Sequence, residues 1–151
     1  MTQALKIQSF NVNGISDNVK RKAIFRKLKR NSAFCLLQET HSTVNDERLW
    51  QSEWGNKILF SHGASNSRGV AILFPSFDWE LLDTSSDSAG RYLMIRVRVE
   101  DIEYVIINIY ALTRDNRKEQ LNYISYVRNQ LLQYNDGNII IAGDFNFYMN
   151  I

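Results

Sequence analysis

The stretch IIIAGDFN, residues 139–146, indicates what kind of fold this chain adopts. Its apolar residues predict a buried β-strand, and the glycine predicts a tight turn that carries Asp144 and, two residues later, Asn146. Three apolar runs upstream end in the same way, at Asn11, Glu39 and Tyr110. Because ligand sites in α/β proteins gather at strand ends, the pattern predicts an α/β fold whose site is shared by several strands.

The spacing of apolar residues predicts more strands than helices, with helices connecting some of the strands. A chain of 151 residues without repeats, low-complexity segments or linkers is expected to form a single domain. Several strands are apolar on both faces, which favours two mixed sheets packed together with helices outside them. The predicted strands are 5–10, 34–37, 57–61, 70–74, 91–100, 104–109 and 139–142, and the predicted helices are 18–31, 46–54 and 117–134.

Composition excludes several classes of protein. Apolar residues make up 44% of the chain and charged residues 23%, as in ordinary globular domains. No apolar run approaches the roughly 20 residues that span a bilayer, and the first residues lack a signal-peptide core, so no membrane association and an intracellular location are expected. The single cysteine, Cys35, cannot form an intramolecular disulfide and is expected to be a buried thiol.

Positive charge is concentrated at the start of the chain. Residues 1–30 hold eight Lys and Arg side chains and one acidic side chain, Asp17. Most of the basic residues fall within 20–30, on the first predicted helix. This helix is either a binding face for a polyanion or an ordinary solvated face, and the pattern does not separate the two.

The residue types at the strand ends fit metal-assisted hydrolysis of a phosphodiester. Glu39 and Asn11 offer a carboxylate and an amide oxygen, the kind of ligands that Mg²⁺ prefers. Asp144 could take a proton from an attacking water, Asn146 could hold Asp144 or that water, and Tyr110 could donate to a phosphate oxygen. Each residue alone is also an ordinary turn, cap or core residue, and only their joint placement favours this chemistry.

Five segments occur in order along the chain: SFNVNG at 9–14, LLQETH at 36–41, GVAIL at 69–73, NIYA at 108–111 and GDFN at 143–146. Together they resemble the exonuclease–endonuclease–phosphatase superfamily. Within it the chain looks most like the apurinic-endonuclease-like domain of LINE-type retrotransposons, because of its QETH and NIYA sequences.

The resemblance implies a four-layer α/β sandwich of the DNase I type and a Mg²⁺-dependent nuclease that nicks DNA to prime reverse transcription, with Mn²⁺ as an alternative metal. A nuclear location is expected if genomic DNA is the substrate. By motif position it implies Asn11 and Glu39 at the metal and Asn11, Tyr110, Asp144 and Asn146 as catalytic residues. It also places Arg91, Thr113 and Asn13 among residues that contact substrate.

The chain departs from the family pattern in two places. Where members often read Tyr-Ala-Pro-Asn, this chain has Leu112 and Thr113, and no Ser-Asp-His motif follows GDFN before Ile151. The 151 residues are therefore expected to be the N-terminal portion of one such domain, weakly active or inactive, with sheet edges through which it could dimerise. Two alternatives stay open: a non-catalytic nucleic-acid-binding remnant, and a phosphatase-branch hydrolase of small phosphoesters.

Overall fold

The computed structural model describes residues 5–63, 67–111, 117–134 and 137–145. Over these ranges strands and helices alternate irregularly, as the sequence predicts. The elements are β1 (Ile7–Asn11), α1 (Asn18–Lys29), β2 (Phe34–Gln38), α2 (Glu47–Trp54), β3 (Ile58–Ser61), β4 (Val70–Leu73), β5 (Glu80–Ser86), β6 (Tyr92–Val99), β7 (Ile102–Tyr110), α3 (Arg117–Leu131) and β8 (Asn138–Asp144).

The strands form two sheets of four, in the orders β1-β2-β4-β3 and β5-β6-β7-β8. In the first sheet β1 and β2 are parallel, while β4 runs antiparallel to both β2 and β3. In the second sheet β6 runs antiparallel to both β5 and β7, and β8 lies parallel to β7. Both sheets are therefore mixed, which confirms the predicted class.

Three hydrophobic clusters stack the elements into four layers. The central cluster lies between the sheets, with Leu36 and Ile72 on one side and Ile95 and Ile106 on the other. A second cluster packs α1 and α2 on the outer face of the first sheet, and a third packs α3 on the outer face of the second sheet. The order helices, sheet, sheet, helix is the four-layer α/β sandwich that the resemblance implies. Cys35 is buried, as predicted.

Two local predictions were wrong. Strand β5 was not predicted, because its sequence ELLDTSS has no apolar alternation; it forms by pairing with β6, with an irregularity between Leu81 and Asp83. The alternation in residues 91–100 predicts a half-exposed strand with Tyr92 and Met94 on its outer face, but the structure buries both side chains beneath α3. In both places tertiary contacts override the local pattern.

A buried polar pair ties the two sheets together just behind the strand ends. The side-chain nitrogen of Asn108 on β7 donates to the carbonyl oxygens of Leu37 at 3.0 Å and Ala71 at 2.9 Å. Nε2 of Gln38, the last residue of β2, donates to Oδ1 of Asn108 at 2.9 Å. Because buried polar groups are costly unless paired, this network fixes how β7 sits over β2.

Some hydrophobic side chains stay exposed on and directly after β8, an edge strand of the second sheet: Ile139, Ile141 and Phe145. Dimerisation through a sheet edge stays a prediction. Within the described ranges, no helix is long and apolar enough to cross a membrane.

Candidate active site

The carboxyl ends of four strands, two from each sheet, meet at one corner of the sandwich. Asn11 and Tyr110 are the last residues of β1 and β7, Asp144 is the last residue of β8, and Glu39 directly follows β2. Since β1 is parallel to β2 and β7 is parallel to β8, each pair delivers its terminal side chains to the same edge of its sheet. The structure thus brings together four of the residues that the sequence predicts.

Asn11 bridges the two carboxylates of this corner. Its Nδ2 donates to Oε2 of Glu39 and, at 2.9 Å, to Oδ2 of Asp144. Its Oδ1 accepts from the backbone N–H of Asn13 at 3.0 Å. The amide therefore presents its NH₂ group to both acids, and its oxygen is engaged with the backbone.

Glu39 is held in an unusual backbone conformation. Its φ of +55° lies in the left-handed region, which is costly for a residue with a side chain. Hydrogen bonds on both sides maintain it: the N–H of Gly14 donates to the carbonyl of Glu39 at 2.6 Å, and the N–H of Thr40 donates to the carbonyl of Gly69 at 3.0 Å. The strained turn directs the carboxylate towards Asn11.

Tyr110 is buried beside these acids, and its environment keeps its phenol protonated. The pKa of Tyr110 is raised from 10.0 to about 12, mainly by burial and further by the negative charge of Glu39, a hydrogen bond to Glu39 and the charge of Asp144. The positive charge of Arg68 acts in the opposite direction. Tyr110 is therefore a hydrogen-bond donor at neutral pH.

Gly143 lets β8 approach β7 closely enough to place Asp144. Its φ is +144°, and a Cβ at this position would overlap the carbonyl oxygen of Ile109, its partner on β7. One residue later, the N–H of Ala111 donates to the carbonyl of Asp144 at 2.8 Å. Only glycine satisfies both the dihedral angle and the space, so the GD step of the motif has a direct structural reason.

Of the residues that the resemblance places in contact with substrate, Asn13 and Arg91 lie near this corner. Asn13 is exposed with a φ of +47°, and its carbonyl accepts from Nζ of Lys20 at 3.1 Å. The carbonyl of Arg91 accepts from the N–H of Tyr110 at 2.8 Å, but its guanidinium lies 3.3 Å from Oδ2 of Asp87 and over the ring of Tyr123. The predicted roles of Asn146 and Thr113 fall outside the described residues.

Two charged residues at or near the site were not singled out from the sequence. Arg68 lies close enough to Tyr110 to affect its pKa, and the sequence signal was a cation directly before Gly69 of the GVAIL segment. Asp87 accepts from the backbone N–H groups of Arg91 and Tyr92 at 3.1 and 3.2 Å, and so shapes the turn that leads into β6. Nothing in the residues around Asp87 indicated that role.

The basic residues of α1 comprise one buried arginine and several exposed cations. Arg21 is buried, and its Nε and Nη2 donate to the carboxylate of Glu53 at 2.9 and 2.8 Å. Its guanidinium also lies 5.1 Å from the ring centre of Trp50. The exposed cations of α1 and the residue that follows it are Lys20, Lys22, Arg26, Lys27, Lys29 and Arg30.

The oxygen donors at the corner fit a hard divalent cation. Two carboxylates, from Glu39 and Asp144, converge on one amide, and such cations are commonly held by one or two carboxylates completed by water and substrate phosphate. Among residues 5–63, 67–111, 117–134 and 137–145, no group of three or more His, Cys, Asp or Glu side chains is placed to hold a metal ion, so at this corner protein ligands would have to be completed by water and substrate. These donors are oxygen atoms, whereas zinc sites are built mainly from Cys and His side chains.

A profile of the Endonuclease/Exonuclease/phosphatase family matches residues 9–150. The chain belongs to that family. Its members are nucleases and phosphoesterases that generally depend on a metal, and the corner formed by Asn11, Glu39, Tyr110 and Asp144 lies within the matched range. The resemblance read from the five segments is thereby confirmed.

One protein similar in sequence to this chain is a transposon protein. Over 149 residues the chain is 32% identical to the transposon TX1 uncharacterized 149 kDa protein of Xenopus laevis, covering 97% of this chain and 11% of that protein. The match agrees with the retrotransposon branch that the QETH and NIYA segments favour.

Several solved structures share the fold of this chain. A D. rerio TDP2 complexed with a single-strand DNA product superposes with a TM-score of 0.72 at 17% identity, covering 96% of this chain and 62% of TDP2. The endonuclease domain of TRAS1, a telomere-specific non-LTR retrotransposon, gives a TM-score of 0.68 at 12% identity, covering 95% of this chain and 61% of that domain. The chain thus spans about three-fifths of these structures.

Proposed function

We propose that this chain belongs to a Mg²⁺-dependent DNA endonuclease that nicks target DNA during retrotransposition. The observation that carries the proposal is the convergence of Asn11, Glu39, Tyr110 and Asp144 from four strand ends. Membership of a nuclease and phosphoesterase family and the likeness to a transposon protein support it.

The proposed roles follow from the chemistry of each side chain. Glu39 would hold the cation, which supplies charge neutralisation at the phosphate oxygens. Asn11 would hold the cation through Oδ1 only after its amide turns away from the N–H of Asn13. In the present arrangement its NH₂ group orients both carboxylates.

Proton transfer would pass through Asp144. An ionised Asp144 can accept a proton from a water that attacks phosphorus, while the bond from phosphorus to the leaving oxygen breaks. Tyr110, whose raised pKa keeps it neutral, can donate a hydrogen bond to a phosphate oxygen as charge develops there. Asn146 is proposed to support Asp144, as its motif position implies.

DNA is the proposed substrate for two reasons. The TDP2 structure holds a single-strand DNA product, and the TRAS1 domain is an endonuclease of a non-LTR retrotransposon. The exposed cations Lys22, Arg26 and Lys27 offer phosphate contacts on α1. A protein that acts on genomic DNA would work in the nucleus.

A plasmid-nicking assay tests the proposal. Conversion of supercoiled to open-circular DNA is measured with Mg²⁺, with Mn²⁺ and with a chelator, for the wild type, for Asp144→Asn and for Asp101→Asn. Asp101 is an exposed acid in the turn between β6 and β7 and serves as the matched control. Loss of the general base should lower the nicking rate roughly 100-fold or more in Asp144→Asn and leave Asp101→Asn unchanged. Equal metal-dependent nicking by all three proteins, above the level seen with chelator, would refute the assignment.

The exposed cations of α1 are equally compatible with the non-catalytic alternative, because phosphate contacts there need neither a metal nor a catalytic residue. Lys22, Arg26, Lys27 and Arg30 remain solvent-exposed although Arg21 is not. If the chain only binds nucleic acid, a Lys22→Glu/Lys27→Glu variant should lose metal-independent, salt-sensitive DNA binding. Asp144→Asn should then bind DNA as the wild type does, and neither the wild type nor Asp144→Asn should nick it.

A further inference from the structure

A chain of hydrogen bonds runs behind the turn that carries Glu39. Oγ1 of Thr40 lies 2.9 Å from Oγ of Ser42, which lies 2.8 Å from Nδ1 of His62. Nε2 of His62 in turn lies 2.7 Å from Oε1 of Glu47, the first residue of α2. The segment after β2, the start of α2 and the residue after β3 therefore meet through polar side chains.

Burial decides what this arrangement does. A serine, a histidine and a carboxylate in this order resemble a nucleophilic relay, but Ser42 and Thr40 are completely buried, so no substrate can reach the hydroxyl oxygens. Solvent exposure increases outward along this hydrogen-bond network, to 16% for the His62 side chain and 40% for that of Glu47. The inner hydroxyls can act only on the protein itself.

The protons of the network have one arrangement that satisfies its members when His62 is neutral. The carboxylate of Glu47 can only accept, so Nε2 of His62 donates to it and Nδ1 is left as an acceptor. Ser42 then donates its hydroxyl proton to Nδ1 and accepts from the hydroxyl of Thr40. Phe60 stacks on the imidazole, with ring centres 5.2 Å apart, and fixes its plane.

The inner end of the network holds the backbone on both sides of Thr40. The N–H groups of Thr40 and His41 donate to the carbonyls of Gly69 and Arg68, each at 3.0 Å. The side chain of Thr40 also fills the space that a Cβ on Gly69 would need. Turning this hydroxyl would disturb the segment that keeps the left-handed Glu39 in place.

We infer that His62 is a positioning residue for Glu39, acting through Ser42 and Thr40. The effect on cation binding rests on the proposed function, whereas the effect on the Glu39 turn does not. Residues that orient a metal-binding side chain typically change metal affinity roughly 10- to 100-fold when they are removed.

Substitutions at His62 separate this role from simple packing. In His62→Asn the side-chain oxygen can replace Nδ1 as acceptor for Ser42, whereas His62→Leu fills similar space without any acceptor. We expect His62→Leu to accelerate amide hydrogen exchange at Thr40 and His41 and to weaken Mn²⁺ binding, measured by electron paramagnetic resonance, roughly 10-fold. His62→Asn should restore most of both properties.

A second pair of variants tests whether the effect passes through the hydroxyls. Ser42→Ala should reproduce the behaviour of His62→Leu, and the Ser42→Ala/His62→Leu double variant should lose no more than either single one, as expected of residues in one network. Wild-type exchange and Mn²⁺ affinity in a folded His62→Leu protein, or equal losses in His62→Leu and His62→Asn, would overturn the inference.

Glu39→Gln distinguishes failure of this inference from failure of the proposed site. If Mn²⁺ binds the wild type no better than Glu39→Gln, the metal site is wrong, and exchange at Thr40 and His41 alone decides the role of His62. If that exchange is then unchanged in His62→Leu, the positioning role is wrong as well.

Discussion

Nδ2 of Asn11 donates to Oδ2 of Asp144 at 2.9 Å, joining the last residue of the first strand to the last residue of the eighth. The two residues belong to different sheets, and the same amide nitrogen also bonds to Glu39. The spacing of the two carboxylates is thus set by how the sheets pack, and one neutral amide keeps two negative charges together.

Asn11→Asp should make this corner depend on a divalent cation for its stability. A third carboxylate would replace the bridging donor by a like charge, which we expect to cost about 2 kcal/mol without metal. Thermal unfolding should show a melting temperature several degrees below the wild type in chelator, and added Mg²⁺ should recover more of the difference than it does for the wild type. Equal metal responses in the two proteins would contradict this.

Gly143→Ala should destabilise the fold strongly. A methyl group there would overlap the carbonyl of Ile109 while the backbone stays at a positive φ, so β8 would have to move away from β7. We expect a loss of about 3 kcal/mol in the free energy of unfolding, measured with denaturant. Gly137→Ala is the matched control, because its Cβ would have its nearest contact at 4.0 Å, with Val105.

Asn108→Leu should weaken the association of the two sheets with little change in side-chain volume. It removes the donor to the buried carbonyls of Leu37 and Ala71 and one of the acceptors of Gln38, whose Nε2 also donates to Ser9 and Leu36. Leaving such groups unpaired should cost about 2–4 kcal/mol in unfolding free energy. Asn138→Leu, at an exposed position on β8, should change it by less than about 0.5 kcal/mol, and similar losses in both variants would argue against the network.

The site corner could be predicted because its residues directly end apolar strands. Asn11, Tyr110 and Asp144 each close a run whose pattern is visible in the sequence, and parallel pairing brings such ends together. Five segments in order then indicated the family. The hydrogen-bond directions could not be predicted, since Asn11 turns its NH₂ group to the acids only because the N–H of Asn13 occupies its oxygen.

Other features depended on partners far along the chain. In the sequence Arg21 is one more cation in a basic run. No neighbouring residue indicates that it is buried and donates to Glu53, 32 residues away. His62 lies in a stretch that composition assigns to a loop, and its role depends on Ser42 and Glu47 from two other segments. Strand β5 likewise has no signal of its own and forms on the edge of β6.

Arg21→Leu should be destabilising in a pH-dependent way. Hydrogen bonds from Arg21 are the largest cause of the lowered pKa of Glu53, so this carboxylate stabilises the fold above its unfolded pKa of 4.5 and loses that contribution as pH falls further. Removing the guanidinium leaves a largely buried charge, at a cost of about 3 kcal/mol near neutral pH that shrinks on acidification. Chemical denaturation at several pH values measures it, with the exposed Arg26→Leu as control. A cost that stays constant with pH would contradict the pairing.

Tyr110 should titrate far above an ordinary phenol. Its pKa is raised to about 12 from 10.0, so the folded state keeps a proton that the unfolded state releases, and stability should fall as pH rises from 10.0 towards 12. The phenolate absorbance of the wild type minus that of Tyr110→Phe isolates this transition. Glu39→Gln should shift it downward, because the charge and hydrogen bond of Glu39 are removed, but not fully to 10.0, because burial is the largest cause. Ionisation of Tyr110 near 10.0 in the folded wild type would show that the phenol is not enclosed beside these acids.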